Sequence, residues 1–421
     1  MTDRISGKTY TMPSGVFEMP PRKASFIRET EGRLLDVFGK WGYQEIRTPA
    51  MEYMDVMAQG LSQAELDIAF KMVDRLTGRM MVLRSDVTPQ VARMAALALK
   101  DVPRPLRLSY IMNVYRYPTD AGHPRREMIQ AGAELLGLDD PQADAEIVAL
   151  AVESLRHIGL SGFRVSLGQV NYARGLLDEA QLSSEVEDRL IDAANRKDSS
   201  LMNLVLDETG ISPALKGSFL SLSEFREWNV SNLDGIEPVN KRCAAALENL
   251  KEVMDLLTCY NVDRDLLKVD LGELASFRYH TGIVFSGYLS GAGGAVLKGG
   301  RYDNLAERFG SPSPATGFAI DILELVEIAA AGASPTHGVS CMLVNRTGDR
   351  EAGLAVAMEL RGMGRKVISL IRDIDDDGLI PYAKAHRVGE ILILTGEREL
   401  EMLDPATGKA SSCTIEDLQD K

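Results

Sequence analysis

The chain has 421 residues, 45% hydrophobic and 26% charged, a composition that excludes a disordered, collagenous or low-complexity protein and holds two to four domains of ~100–200 residues. Lys and Arg total 47 against 61 Asp and Glu, a net charge of −14. That balance argues against a large nucleic-acid face, whose affinity comes from neutralising phosphates, while leaving room for a local basic pocket. Residues 23–41 (KASFIRETEGRLLDVFGKW) carry Phe26, Leu34, Leu35 and Phe38 at helical spacing, with Gly42 as the stop. Residues 43–51 read as a strand interrupted by Pro49, hence an edge or interface position. Residues 79–84 (RMMVLR) read as a strand and 88–100 as a helix. Residues 105–117 and 126–136 pair as two strands around a polar loop at 118–125. Residues 143–158 are predicted helical and 162–167 a strand. From about 170 to 262 the pattern is polar and mostly helical, an inserted region. Strands return at 266–271, 278–288 and 294–298, and helices are expected at 302–309 and 316–330.

The stretch 329–337 (AAAGASPTH) reads as a linker. Beyond it, strands at 340–344, 366–371 and 390–395 alternate with helices at 351–363 and 379–386, the pattern of a small α/β domain with a parallel sheet. No apolar run approaches the ~18 residues of a membrane span. The opening MTDRISGKTYTMPSG lacks a signal-peptide core, so a cytoplasmic protein with no membrane contact is expected. Cys243, Cys259, Cys341 and Cys413 are scattered without a CxxC pair, which predicts unpaired thiols and no metal site.

Four segments carry candidate chemistry. In Arg84-Ser85-Asp86-Val87-Thr88-Pro89 an acid and a hydroxyl stand two apart after an apolar strand, placed either to share a small cationic group or to cap the following helix. In 110–137 (YIMNVYRYPTDAGHPRREMIQAGAELLG), Arg116 sits in an apolar strand. Gln130 and Glu134 lie four apart on one face of the next. Such a set holds a zwitterion, Arg on the carboxylate and the acids on the ammonium, or forms a buried ion pair or an exposed face of an antiparallel sheet. In FRYHTGIVF, Tyr279 and His280 precede a Thr-Gly step; nothing there completes a Ser-His-Asp set or a metal cluster. Lys298-Gly299-Gly300-Arg301-Tyr302-Asp303 either admits a ligand or strand close to the backbone or makes a tight strand-to-helix turn. It lacks P-loop spacing.

Taken in order, these segments resemble the catalytic core of histidyl-tRNA synthetases. The likeness runs through Gly42 to Pro49 (GYQEIRTP, the dimer-forming first motif), Leu83 to Pro89 and the second motif Val114-Tyr115-Arg116-Tyr117. It continues in Gln130 to Gly137, Gly299 to Leu305 and Gly317-Phe318-Ala319. Residues 338–400 resemble that family's anticodon-binding domain, notably Met358-Glu359-Leu360-Arg361 and Tyr382-Ala383. The resemblance implies an α+β class II aminoacyl-tRNA synthetase-like core at 1–330, built on an antiparallel sheet with flanking helices and carrying the insertion at about 170–262. A C-terminal α/β domain at 338–421 would follow.

The departures from the family pattern are specific. The synthetase glutamate two residues after the second-motif arginine is Pro118. An arginine opening its RGLDYY segment becomes Ala275. The third-motif arginine falls on Glu324. Alanine removes a multi-donor cation, and glutamate sets negative charge where polyphosphate would lie. The amino-acid pocket is kept: Asp86, Thr88, Arg116, Gln130, Glu134 and Tyr279, with His280 in place of a tyrosine. That pattern resembles the synthetase-like regulatory subunits of ATP phosphoribosyltransferase, the first enzyme of histidine biosynthesis. The resemblance implies a chain with no catalytic residues, cofactor or bound nucleic acid. It implies assembly with a short-form catalytic subunit in a hetero-octamer, self-association as a dimer within it, activation of that partner, and L-histidine as feedback effector. A divergent, active histidyl-tRNA synthetase is the alternative, and a stand-alone amino-acid- or RNA-binding module a third.

Overall fold

The computed structural model describes residues 12–118, 125–222, 230–272, 280–330, 341–370 and 374–418, with the backbone of two short strands at Asp3–Ile5 and Lys8–Tyr10. The chain divides into two compact units, Met1–Gly332 and Ala333–Lys421.

The first unit is built on an eight-stranded sheet. From one edge to the other its strands are Leu267–Val269, Arg164–Gln169, Ile283–Tyr288, Ala295–Arg301, Ala315–Asp321, Glu127–Leu136, Leu106–Tyr115 and Gln44–Glu45. The six middle strands are antiparallel, as expected. Both edges depart from that expectation, because Leu267–Val269 and Gln44–Glu45 run parallel to their neighbours. A parallel pair needs a long crossover, and here each has one. The helices Val170–Ala180, Ser184–Asn195, Ser199–Asp207, Pro213–Ser221 and Lys241–Cys259 separate the first parallel pair. A small three-stranded sheet and the helix Thr88–Ala96 separate the second.

Alternate strand residues face opposite sides, and the two sides of this sheet differ. One face presents Ala131, Ala133, Leu135, Leu167, Phe285, Leu297, Phe318 and Ile320 to the helices Pro21–Lys40, Pro141–His157 and Lys241–Cys259. Phe38 of the first helix meets Phe318 edge-on, ring centroids 6.0 Å apart. Burying these side chains is the main stabilising term of the unit, about 1.5–3 kcal/mol for each large one. On the opposite face, Leu106, Leu108, Tyr110, Met112 and Val114 pack on Val91, Ala92 and Ala95 of the Thr88–Ala96 helix. Farther across, the strand register sets Gly132, Gly317, Ala319, Lys298, Gly300 and Ser286 side by side. Apart from Lys298 this is a patch of small residues, the floor of the candidate cleft, with Tyr110, Glu134 and His280 side chains lying over its glycines.

Several local expectations are corrected. Residues 316–330 are not one helix: Ala315–Asp321 is a central strand and the helix starts at Ile322. The strand's alternation of Phe318 and Ile320 with Gly317 and Ala319 merges into the apolar helix that follows it. In 302–309 only a short 3-10 turn forms, Ala306–Phe309. The helix expected over 88–100 ends at Ala96. The strand expected over 43–51 splits, because Met51–Tyr53 pairs with Met80–Leu83 in the small sheet, which Lys71–Val73 completes.

The second unit carries a five-stranded sheet with the helices Arg350–Gly362 and Asp376–His386. Val367–Ser369, Cys341–Asn345 and Glu390–Leu394 are parallel as expected, but Glu399–Leu403 and Ala410–Thr414 add antiparallel strands, so the sheet is mixed. Within the 373–377 acidic run, Asp375 caps the second helix by accepting from Gly378 N at 3.1 Å, and Asp376 pairs with Arg346. No helix among the described residues is long and apolar enough to cross a membrane. Among the described residues, Cys243, Cys259, Cys341 and Cys413 form no disulfide.

Candidate functional site

The cleft floor brings Asp86, Thr88, Gln130 and Glu134 into one hydrogen-bonded set. Asp86 lies on the loop between the Met80–Leu83 strand and the Thr88–Ala96 helix. Buried Arg84 fixes that loop: its Nε and Nη2 donate to Asn113 O at 3.0 and 2.7 Å and its Nη1 to Thr48 O at 3.0 Å. Asp86 Oδ1 accepts from Thr88 N at 3.2 Å and from Gln130 Nε2 at 3.1 Å. Gln130 Oε1 in turn accepts from Val87 N at 3.1 Å. Asp86 therefore takes a backbone N–H at the helix start and joins the neighbouring strand as well. The Thr88 hydroxyl turns away from the helix and donates to Glu134 Oε1 at 2.9 Å.

Glu134 is the centre of the set. It is 1% exposed, and two further hydroxyls reach it: Tyr110 on Oε1 at 3.1 Å and Tyr302 on Oε2. Burial pushes its carboxyl up to about 8; its three hydroxyl partners oppose that rise and the Asp86 charge adds to it. Burial likewise raises the Tyr110 hydroxyl, with the Glu134 charge adding to it.

Arg116 follows the Leu106–Tyr115 strand on the cleft side, in step with Tyr110, Met112 and Val114. It is exposed. Its guanidinium touches the Met128 thioether at 3.5 Å and makes no ion pair among the described residues. Among the described residues Arg116 therefore forms no buried ion pair. Its backbone closes the hairpin by donating to Arg126 O at 3.1 Å, and the next residue, Tyr117, stacks on Phe70 with centroids 4.1 Å apart.

His280 borders the same floor two strands away. Its ring lies against Gly300, where an added Cβ would come within 2.6 Å of the imidazole. Its carbonyl accepts from Arg174 Nη2 at 2.8 Å. The diglycine is inside a strand rather than a turn, and Gly300 pairs with Gly317. Arg301 points to the helix side, buried against Asp144 at 3.0 Å and Asp303 at 3.1 Å. Tyr279 and Ala275 lie outside the described residues.

At the hairpin end Pro118 is exposed and offers no side-chain donor. Glu324, in the first turn of the Ile322–Ala330 helix, pairs with Arg125 at 3.1 Å; Asp321 at 3.8 Å and Glu327 join the same guanidinium. Lys23 also holds Glu327. Three carboxylates thus stand against two cations. Among the described residues no group of three His, Cys, Asp or Glu side chains is placed to hold a metal.

Sequence reasoning passed over Tyr110 and Tyr302 as site residues. Both stand in the segments it singled out. Their convergence on Glu134 spans 24 and 168 positions, which no local pattern reveals. Arg84 fixes its loop through Asn113 and Thr48, 29 and 36 positions away, which is equally invisible in a local pattern.

Comparison with known proteins accords with this geometry. The family model for histidyl-tRNA synthetase matches residues 15–325. An ATP phosphoribosyltransferase regulatory subunit of Geobacter metallireducens is 37% identical over 391 residues, 92% of this chain and 89% of its own. That of Syntrophotalea carbinolica is 33% identical over 426 residues, 99% of this chain and 98% of its own. A crystal structure described as an ATP phosphoribosyltransferase regulatory subunit/histidyl-tRNA synthetase from Bacillus halodurans aligns with TM-score 0.79 at 28% identity, covering 92% of this chain and 98% of that one. A histidyl-tRNA synthetase from a Nostoc species aligns with TM-score 0.84 at 19% identity over 98% of both chains, a likeness of fold alone.

Proposed function

The chain belongs to the family of ATP phosphoribosyltransferase regulatory subunits, and we propose that it is a regulatory subunit of that enzyme in histidine biosynthesis, without activity of its own. On this reading it acts in the cytoplasm and joins a short-form catalytic subunit in a hetero-octamer. It self-associates as a dimer within that assembly, activates the partner and transmits feedback inhibition by L-histidine.

The observation that carries the reading is a hydrogen-bonded set of Asp86, Thr88, Gln130 and Glu134, suited to an amino acid, beside a hairpin end where three carboxylates meet two cations. Asp86 and Glu134 offer carboxyl groups to an ammonium, with Gln130 and Thr88 as neutral partners. Arg116 offers a charge-assisted bond to a carboxylate. His280, seated over Gly300, and Tyr279 are assigned to the ligand's side chain. Where the synthetases keep a glutamate for the nucleotide, Pro118 gives no acceptor, and where they keep the third-motif arginine, Glu324 sets a negative charge, held here by Arg125. Like charge at that point repels a polyphosphate.

Regulation then follows from linkage. Histidine shifts the assembly only by its differential affinity for two arrangements, and a coupling of ~1–3 kcal/mol gives 5–150-fold effects. ATP–pyrophosphate exchange in the presence of histidine, together with calorimetry of histidine alone, tests the reading. Binding without exchange is expected. Histidine-dependent exchange would make the chain a divergent histidyl-tRNA synthetase and overturn it.

A further inference from the structure

We propose that the empty cleft holds Glu134 as the neutral acid and that an ammonium entering beside it drives the proton off, so that effector binding releases a proton. The inference rests on the reading of the cleft as an amino-acid site and deepens it.

The argument is one of surroundings. Glu134 is buried from every side. The Thr88–Ala96 helix and the loop before it bring Thr88 and the Asp86 carboxylate. The Leu106–Tyr115 strand brings Tyr110, and the segment after Ala295–Arg301 brings Tyr302. The Ala315–Asp321 strand brings only the Gly317 main chain next to Oε2, with Asp321 farther along. His280 stands beyond the glycine pair, against Gly300. No lysine or arginine among the described residues bonds Glu134. A buried carboxylate without a cation, with a second carboxylate joined to it through Thr88, is costly in its charged form. The rise of the Glu134 carboxyl to about 8 agrees with this geometry.

The proton has a defined place. Oε1 accepts from two hydroxyls, Thr88 and Tyr110, whereas Oε2 meets one, Tyr302. The acid proton therefore sits on Oε2. On binding, the Oε2–H bond breaks, the proton passes to buffer, and the ligand's ammonium, already charged, supplies the missing cation. One positive charge replaces another. Because the bound carboxyl titrates lower than the free one, affinity rises with pH until about 8 and then levels.

Titration calorimetry of L-histidine into the full chain at pH 7.5, in phosphate, HEPES and Tris, reads the released proton from the dependence of heat on buffer ionisation. About three-quarters of a proton per site is expected, the fraction of a group titrating near 8 that is protonated at that pH. The ligand's own imidazole, about a tenth protonated at that pH, can release no more than about a tenth, and the imidazolepropionic acid control reads any proton that the ring takes up. Imidazolepropionic acid, which has no ammonium, should release none. Glu134→Gln should bind more weakly and without buffer dependence. Should that variant fail to fold, Tyr302→Phe, which removes a bond favouring the carboxylate, should move the midpoint of proton release to higher pH. Histidine binding with heats independent of buffer overturns the inference and leaves the sensor reading intact. Absence of histidine binding overturns both.

Discussion

Glu134 and Gly317 face each other on adjacent strands so closely that a Cβ at position 317 would lie 1.6 Å from Glu134 Oε2. The neighbouring strand repeats the relation, with Gly300 directly across from Gly317 and the His280 ring against it. Two paired positions without side chains thus seat the Glu134 carboxylate and the His280 ring, both among the groups assigned to the ligand.

Gly317→Ala must therefore expel the Glu134 carboxylate from its three hydroxyl partners. We expect more than tenfold weaker histidine binding in calorimetry, with the far-ultraviolet circular dichroism unchanged. The φ at 317 is not in the left-handed region, but an alanine Cβ would also come within 2.8 Å of the Ala133 carbonyl oxygen, so the two strands must shift slightly as well. Unchanged affinity would mean that Glu134 is not a ligand group.

Arg116→Ala should also weaken histidine binding by more than tenfold, because a charge-assisted hydrogen bond is worth about 1.5–3 kcal/mol. The guanidinium is exposed and contacts only Met128 among the described residues, so the melting temperature should scarcely move. A variant that melts far below the parent would give Arg116 a structural role in place of a binding one.

The Glu134 carboxyl also sets a pH dependence of stability. Its ordinary value of 4.5 is raised to about 8 by burial, so the folded chain holds this proton more tightly than the unfolded one. The contribution is fully present below pH 4.5 and is lost as pH rises through about 8, at up to ~1.4 kcal/mol per pH unit. Without histidine, thermal unfolding from pH 6 to 9 should show Glu134→Gln gaining on the parent as pH rises. Saturating histidine should flatten the parent's profile. Parallel curves for parent and variant would contradict the assignment.

Much of this was legible from sequence where the pattern is local. Of the stripe Phe26, Leu34, Leu35 and Phe38 in the helix Pro21–Lys40, Leu34 and Phe38 are fully buried and the other two half-buried, and Gln130 and Glu134 declare a shared face by their spacing alone. What was not legible depends on distance or on polar strands. Tyr302 and Tyr110 become site residues only when the sheet closes. Ala315–Asp321 hides its period of two among glycine and alanine before an apolar helix. Glu399–Leu403 and Ala410–Thr414, at the end of the second sheet, are too polar to announce themselves. Arg301 read as part of a turn, yet it is a buried cation tied to Asp144, 157 positions away.

The central claim is that histidine in this cleft governs a partner enzyme. The most direct measurement is phosphoribosyl-ATP formation by a short catalytic subunit, with and without the full chain, across a histidine titration. The account predicts activation by the chain that histidine reverses, and activation that resists histidine in the Arg116→Ala variant. A catalytic subunit indifferent to the chain, or activated equally at every histidine concentration, would contradict it.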